Sequence, residues 1–394
     1  MNWLLSHWQT VAPIAAALVS AAVLLAAERP GRRGLAPVAV LVALAFGLAM
    51  PGRAGAIQAP LTVGLVIAEL ARDREDLLHG ECALKLLWVM GSALALSWAG
   101  LELLTLATGT HVAVEQWAVL SLGLEPRFLW STALPLSLLL GFVMLGGAPL
   151  HFWLGDVLQG ARPWLAPLAA AALQVAGASW LSFRLSSIDR YHEGALLAQG
   201  VLHAGALVAL LTGAATLAVQ RRPERRVGTL ASLNGALVLT RLASGHPLDA
   251  AWLDAWRAHL TLALVGAATL ARFLPVSSPS LGRAAPLTRR HPVAAVAGFL
   301  SLASLAGFPG LPGANLWLEV ARSLARTQTT GLLLALAVTW LTALAVVLRQ
   351  LREAYGTPAP ASPEVHAVPR TPRVALTIVG LVIVGLVALA LRSS

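Results

Sequence analysis

Cysteine occurs once in this chain, at Cys82, and lysine once, at Lys85. A single thiol excludes an intrachain disulfide and a thiolate metal cluster, and leaves Cys82 as a small packing residue. Charged residues make up only 12% of the sequence against 57% hydrophobic ones. That ratio excludes an ordinary soluble domain and marks an integral membrane protein. HExxH, CxxC, GxxxxGK[ST] and GxGxxG are all missing, so no metal, nucleotide or iron-sulfur cofactor is expected. The first apolar run lacks a basic leader and runs into further apolar segments, so no cleavable signal peptide is expected either.

What is present is a succession of apolar runs. A helix needs about 20 mostly apolar residues to cross the hydrocarbon core. Runs of that order fall at 10–27, 35–51, 56–71, 82–107, 128–147, 163–184, 194–219, 227–244, 252–273, 291–308, 313–348 and 372–391. The fold class expected is an all-α integral membrane protein of about 12 transmembrane helices, a single polytopic unit over 1–394.

The net charge of +10 is a matter of topology rather than of nucleic-acid binding, because arginines cluster in the loops. Arg29, Arg32 and Arg33, then Arg72 and Arg74, then Arg221, Arg222, Arg225 and Arg226, then Arg283, Arg289 and Arg290 fall on one side of the membrane. With that side cytoplasmic, the N-terminus is outside. The run 313–348 is too long for one straight span and carries Arg322, Arg326, Thr327 and Gln328 near its middle. Read as one interrupted traverse, it keeps Arg349 and Arg352 inside, so at least one broken helix is expected here. The Pro-rich polar stretch 356–371 reads as a cytoplasmic linker before the last span. Trp252 and Trp256 flank Asp254 and Arg257 and read as an interfacial belt.

Ionisable groups inside apolar runs are costly and therefore candidates for function. Glu102 stands in SWAGLELLTLATG with Leu106 at i+4, so it has no basic partner on its own helix. A buried carboxylate there could carry a proton. Lys85 lies about 25 Å along the same helix and snorkels toward its end. His203 is mid-span in VLHAGALVALL, a proton relay or a packed histidine. Glu319 has Arg322 at i+3, within reach of an ion pair. Gln174 cannot titrate but can bridge helices or hold water, and Ser232 and Asn234 read as interhelical hydrogen-bonding residues. His151, Trp153 and Asp156 belong to a polar motif, APLHFWLGDVLQG, wedged between apolar runs.

Four segments carry a resemblance. PLHFWLGDVLQGARP resembles the P-F-H-F-W-x-P-D-V-x-x-G-A-P run of the antiporter-like membrane subunits of respiratory complex I, subunit N especially. GLELLTLA, AVQRRPERRVGTLASLN and RRHPVAAVAGFLSLASLAGFPGLPG are similar to further runs of that family in the same order, so an antiporter-like core is expected over about 100–350. The resemblance implies an antiporter-like bundle in a bacterial-type cytoplasmic membrane, with other membrane subunits as partners. Glu102 matches the family glutamate of the proton path.

Counted from Pro149, the family's two central lysines fall on Met144 and Gln174, neither of which holds a proton near neutral pH. The family's further lysine or glutamate near a broken helix falls on Trp317, or on Glu319 with a two-residue shift. Between Glu102 and Pro149 the family fits one more helix than this chain has residues for. The expected function is a subunit-N-like component of an NADH-quinone oxidoreductase-type assembly, itself non-catalytic, with pumping weak, rerouted or lost. Its remaining proton-path candidates are Glu102, His203 and Glu319. The alternatives are a proton or sodium transporter subunit of a cation/proton antiporter complex, or of an ion-coupled inorganic-carbon uptake complex.

Overall fold

A computed structural model describes residues 55–71, 77–121, 127–161, 165–185, 193–245, 248, 250–271 and 292–355. The expected spans 10–27, 35–51 and 372–391 and the linker 356–371 lie outside the described residues. Twelve helices are described: α1 Gly55–Ala71, α2 Leu77–Thr108, α3 Ala113–Ser121, α4 Arg127–Met144, α5 Phe152–Gly160, α6 Leu165–Leu185, α7 Glu193–Val219, α8 Pro223–Ala243, α9 Ala250–Ala271, α10 Pro292–Leu305, α11 Pro312–Arg326 and α12 Thr330–Tyr355. Among the described residues no strand occurs. Helix is what an apolar medium demands, since each backbone donor must find its acceptor within its own segment.

The helices fall into two halves of matching order. In each half the first helix packs on the last: α1 on α6, and α7 on α12. In each half the fourth element is a traverse interrupted at its middle, α4–α5 in the first and α10–α11 in the second. The third element is where they differ. In the second half it is α9, 22 residues long; in the first it is α3, only nine residues and too short to cross. The span lacking between Glu102 and Pro149 is therefore the third element of the first half.

α2 closes against α4 where α3 falls short. Gly100 lies so close to Ala133 and Ser137 that a Cβ would meet their backbone at 2.6–2.7 Å. One turn earlier Ser97 enters the α4 ladder. Its Oγ donates to the Leu136 carbonyl at 3.0 Å and accepts from the Leu140 amide at 2.7 Å, a pair that an undisturbed helix would join directly. Pro135 in the same stretch removes another backbone donor.

α8 is the axis of the molecule, buried without a gap from Val227 to Thr240. Its 21 residues span about 31 Å, close to the roughly 30 Å thickness of a hydrocarbon core. Contacts along it place both interruptions. Arg225, near its N-terminus, pairs with Asp156 of α5; Ser232 holds Gly146; Asn234 holds Leu305; Ser244, just past its end, meets Ser323 of α11 at 2.8 Å. So α5 runs from the middle of α8 toward its arginine-rich end, and α11 runs from the middle toward the far end. The two half-helices leave the centre in opposite directions.

Two expectations are corrected. The run 313–348 is two helices, α11 and α12, with a turn at Thr327–Thr329 in which Gln328 takes a positive φ of 54°. The interruption of the traverse lies earlier, at 306–311, where Gly307 and Gly310 have φ of 73° and 86°. α11 thus completes the traverse begun by α10, and α12 is long and apolar enough to cross on its own. The expected interfacial belt is also absent. Trp252, Trp256 and Arg257 are buried, and Trp256 Nε1 donates to the Asn234 carbonyl at 2.9 Å, halfway along α8.

Candidate functional site

The two interruptions meet on α8. An interrupted helix leaves carbonyls without intrahelical partners, and burying them unpaired costs about 1–3 kcal/mol each. At the first break, 145–151, three side chains donate to backbone carbonyls in and beside it. Gln174 Nε2 of α6 donates to the Leu145 carbonyl at 2.9 Å and to the Ala231 carbonyl at 2.8 Å. Ser232 Oγ donates to Gly146 at 2.6 Å and Trp153 Nε1 to Val143 at 2.9 Å. Gly146, with φ of 79°, makes the turn. Gly235 lets α8 close in, since a Cβ there would overlap the Leu145 carbonyl.

The second break, 306–311, is held differently. Asn234 Nδ2 donates to Leu305 at 2.8 Å, and Trp340 Nε1 of α12 donates to Gly307 at 2.9 Å. Trp340 also stacks on the buried Trp317, ring centroids 5.7 Å apart. His259 of α9 is buried, and its Nε2 lies 3.0 Å from Ser304 Oγ, which in turn accepts from the Gly313 amide at 3.2 Å. Ser304 therefore ties the end of α10 to the start of α11, with the histidine against its hydroxyl.

The positions that the resemblance matches to lysines now have surroundings. Met144 is fully buried at the last residue of α4. Gln174 is fully buried, with both amide hydrogens committed to carbonyls and its Oε1 unpartnered. Trp317 is packed on Trp340. From Gln174, through Ala231 and Asn234 of α8, to Leu305, Ser304 and His259, polar groups follow one another across the middle of the bundle.

The proton-path candidates lie elsewhere. Glu102 is exposed on α2, with no hydrogen bond or ion pair among the described residues, rather than buried as its apolar surroundings suggest. Lys85 is level with the start of α8, so Glu102, about 25 Å further along α2, is level with the last turns of α8. His203 is half-buried on α7. Glu319 is exposed on α11, 3.4 Å from Arg322 and 3.8 Å from Arg241, which lies over the Trp252 ring. None of the three stands in the polar line at the breaks.

The polar motif that contains the first break also ties down the arginine-rich end. Asp156 accepts from Arg225 at 2.7 Å and lies 3.5 Å from Lys85, which pairs with Glu81 at 2.6 Å. Gln159 accepts from Arg225 Nε at 2.6 Å, and the Cys82 thiol donates to the Asp156 backbone carbonyl at 3.3 Å. Lys85 is thus a surface anchor joining α2 to α5, and His151 lies half-buried in the break itself. His259 is the residue that sequence reasoning passed over. The signal that picks out His203, a histidine inside an apolar run, also picks out His259 in WRAHLTLALV. Among the described residues no group of three or more His, Cys, Asp or Glu is placed to hold a metal ion.

No family model matches the chain. NADH-quinone oxidoreductase subunit N 2 of Acidobacterium capsulatum is 29% identical over 308 residues, covering 73% of this chain and 60% of the relative's own length. The chain therefore spans about 60% of the curated relative it matches. Among solved structures, a chain of respiratory complex I from Thermus thermophilus aligns at a TM-score of 0.65 and 21% identity, covering 97% of this chain and 92% of that one. A chain of the Mrp complex from Dietzia sp. DQ12-45-1b aligns at 0.76 and 14%, covering 98% and 81%. A chain of the membrane-bound sulfane sulfur reductase, an archaeal respiratory membrane complex, aligns at 0.72 and 14%, covering 91% and 73%. The resemblance carried by the four motifs holds in sequence and in fold: the chain is similar to a subunit N of NADH-quinone oxidoreductase and shares its fold with chains of complex I and of the Mrp complex.

Proposed function

We propose that this chain is the subunit-N-like membrane component of an NADH-quinone oxidoreductase-type assembly, in which the central proton relay has lost both of its lysines. It packs beside other membrane subunits and carries protons weakly, by another route, or not at all. The observation that carries this reading is the Gln174 amide. Its two hydrogens tie the first helix break to α8 by donating to Leu145 and Ala231 at 2.9 and 2.8 Å, a geometry an ammonium could also adopt. An ammonium can release a proton when a neighbouring charge changes; a carboxamide cannot. Position 174 thus keeps the structural half of a lysine's work and drops the chemical half. The arginine-rich end of α8 is placed on the cytoplasmic side, which puts the N-terminus outside.

The test uses proteoliposomes of the intact assembly and measures protons moved per electron pair. With Gln174→Leu the expected ratio equals that of the wild type, while the yield of assembled complex falls. A lower ratio from complexes that assemble normally would overturn the reading.

A second reading, a proton- or sodium-conducting subunit of a cation/proton antiporter complex, is favoured by one observation, the titratable His259 buried against Ser304 at the second break. It predicts that His259→Gln abolishes ion flux in liposomes. Flux equal to the wild type would exclude it.

A further inference from the structure

Among the described residues the faces that this bundle turns outward are mostly apolar, with Glu102 on α2 an isolated carboxylate. On α12 the exposed positions include Leu334, Val338, Leu341 and Leu348, and on α7 Leu196, Val208 and Leu211, as contact with acyl chains requires. The exposed face of α11 instead reads Asn315, Leu318, Glu319, Arg322, Ala325, Arg326 at helical spacing. Its opposite face, with Leu316, Trp317, Val320 and Leu324, is buried. The polar side is therefore the outward one.

Depth makes this costly. Ser323 meets Ser244 at the far end of α8, and Leu305 meets Asn234 at its middle. At a rise of 1.5 Å per residue, Glu319 lies about 6 Å and Asn315 about 12 Å inward of Ser323. Both are below the level at which α8 ends, where lipid tails offer nothing to a carboxylate or an amide. Arg241 and Arg322 lie 3.8 and 3.4 Å from Glu319, so one carboxylate is shared by two guanidiniums, and Arg326 stands about one turn beyond Arg322 on the same face. The stripe carries a positive excess toward its outer end.

We infer that this face of α11 is a docking surface for a membrane helix of a partner subunit, one that carries carboxylates level with Arg322 and Arg326. The inference rests on the proposed reading of the chain as a subunit of an assembly. Charge complementarity identifies the occupant: an apolar helix would leave the arginines unpaired, and a basic one would repel them. A partner carboxylate here would make a bidentate pair with a guanidinium.

The test installs a photoreactive side chain in place of Asn315 in native membranes and reads the adduct. A cross-link to a partner helix bearing Asp or Glu is expected. Arg326→Glu, which breaks no ion pair found within the described residues, and the double variant Arg322→Glu with Arg326→Glu should abolish that adduct. They should also release the chain from the high-mass band on native gels, and Lys in place of the partner's cross-linked carboxylate should restore it. An adduct within the chain's own sequence, an adduct to lipid, labelling of a cysteine at position 315 by an impermeant thiol reagent, or charge reversal that leaves the band intact would each overturn the inference. The reading as a subunit fails separately, and only if the wild-type chain itself runs alone.

Discussion

The two helix breaks solve one problem with different chemistry. At the first break, backbone carbonyls accept from an amide, a hydroxyl and an indole, of Gln174, Ser232 and Trp153. At 306–311 an amide and an indole recur, from Asn234 and Trp340, but a histidine joins them through Ser304. The difference follows from the third element of each half. α9 is long enough to bring His259 to the second break, while α3 ends after nine residues and brings nothing to the first. The first break therefore has only His151, from its own segment, as a titratable side chain, while the second receives one from a neighbouring helix.

The sharpest way to break this comparison is at Gly235, where α8 touches the first break and not the second. Gly235→Val drives a side chain into the Leu145 carbonyl, so a loss of about 3 kcal/mol or more is expected, seen as a large drop in thermal stability in detergent. A smaller effect separates the donors. Gln174→Leu and Asn234→Leu each leave buried carbonyls unpaired, at about 1–3 kcal/mol. Cysteine accessibility should rise at 145–151 in the first variant and at 306–311 in the second; loosening of both breaks by both variants would show that they are not held independently. The smallest change is expected at the arginine-rich end. Asp156→Asn removes ion pairs to Lys85 and Arg225, whose side chains are 44% and 40% exposed, so below about 1 kcal/mol is expected, shrinking as salt is raised.

Much of this was legible in the sequence. The helices at 56–71 to 252–273, Ser232 and Asn234 as bridging residues, and the shortfall between Glu102 and Pro149 all follow from hydropathy, spacing and motif order. Three things did not. Glu102 and Glu319 face outward because lipid is as apolar as the protein interior, so an apolar surrounding in sequence does not tell which face is buried. Trp252 and Trp256, flanked by charge, have the composition of an interfacial belt, and only the bond from Trp256 to the Asn234 carbonyl shows otherwise. The second break was displaced because 291–308 is long enough to read as a complete span, while its Gly-Phe-Pro-Gly sequence reads equally as a connecting loop.

Ser232 and Asn234 stand two residues apart on one rigid rod, and each grips a different kink. Mechanically, the two kinks share a single bearing. A slide or roll of α8 that strains one grip strains the other in the same stroke.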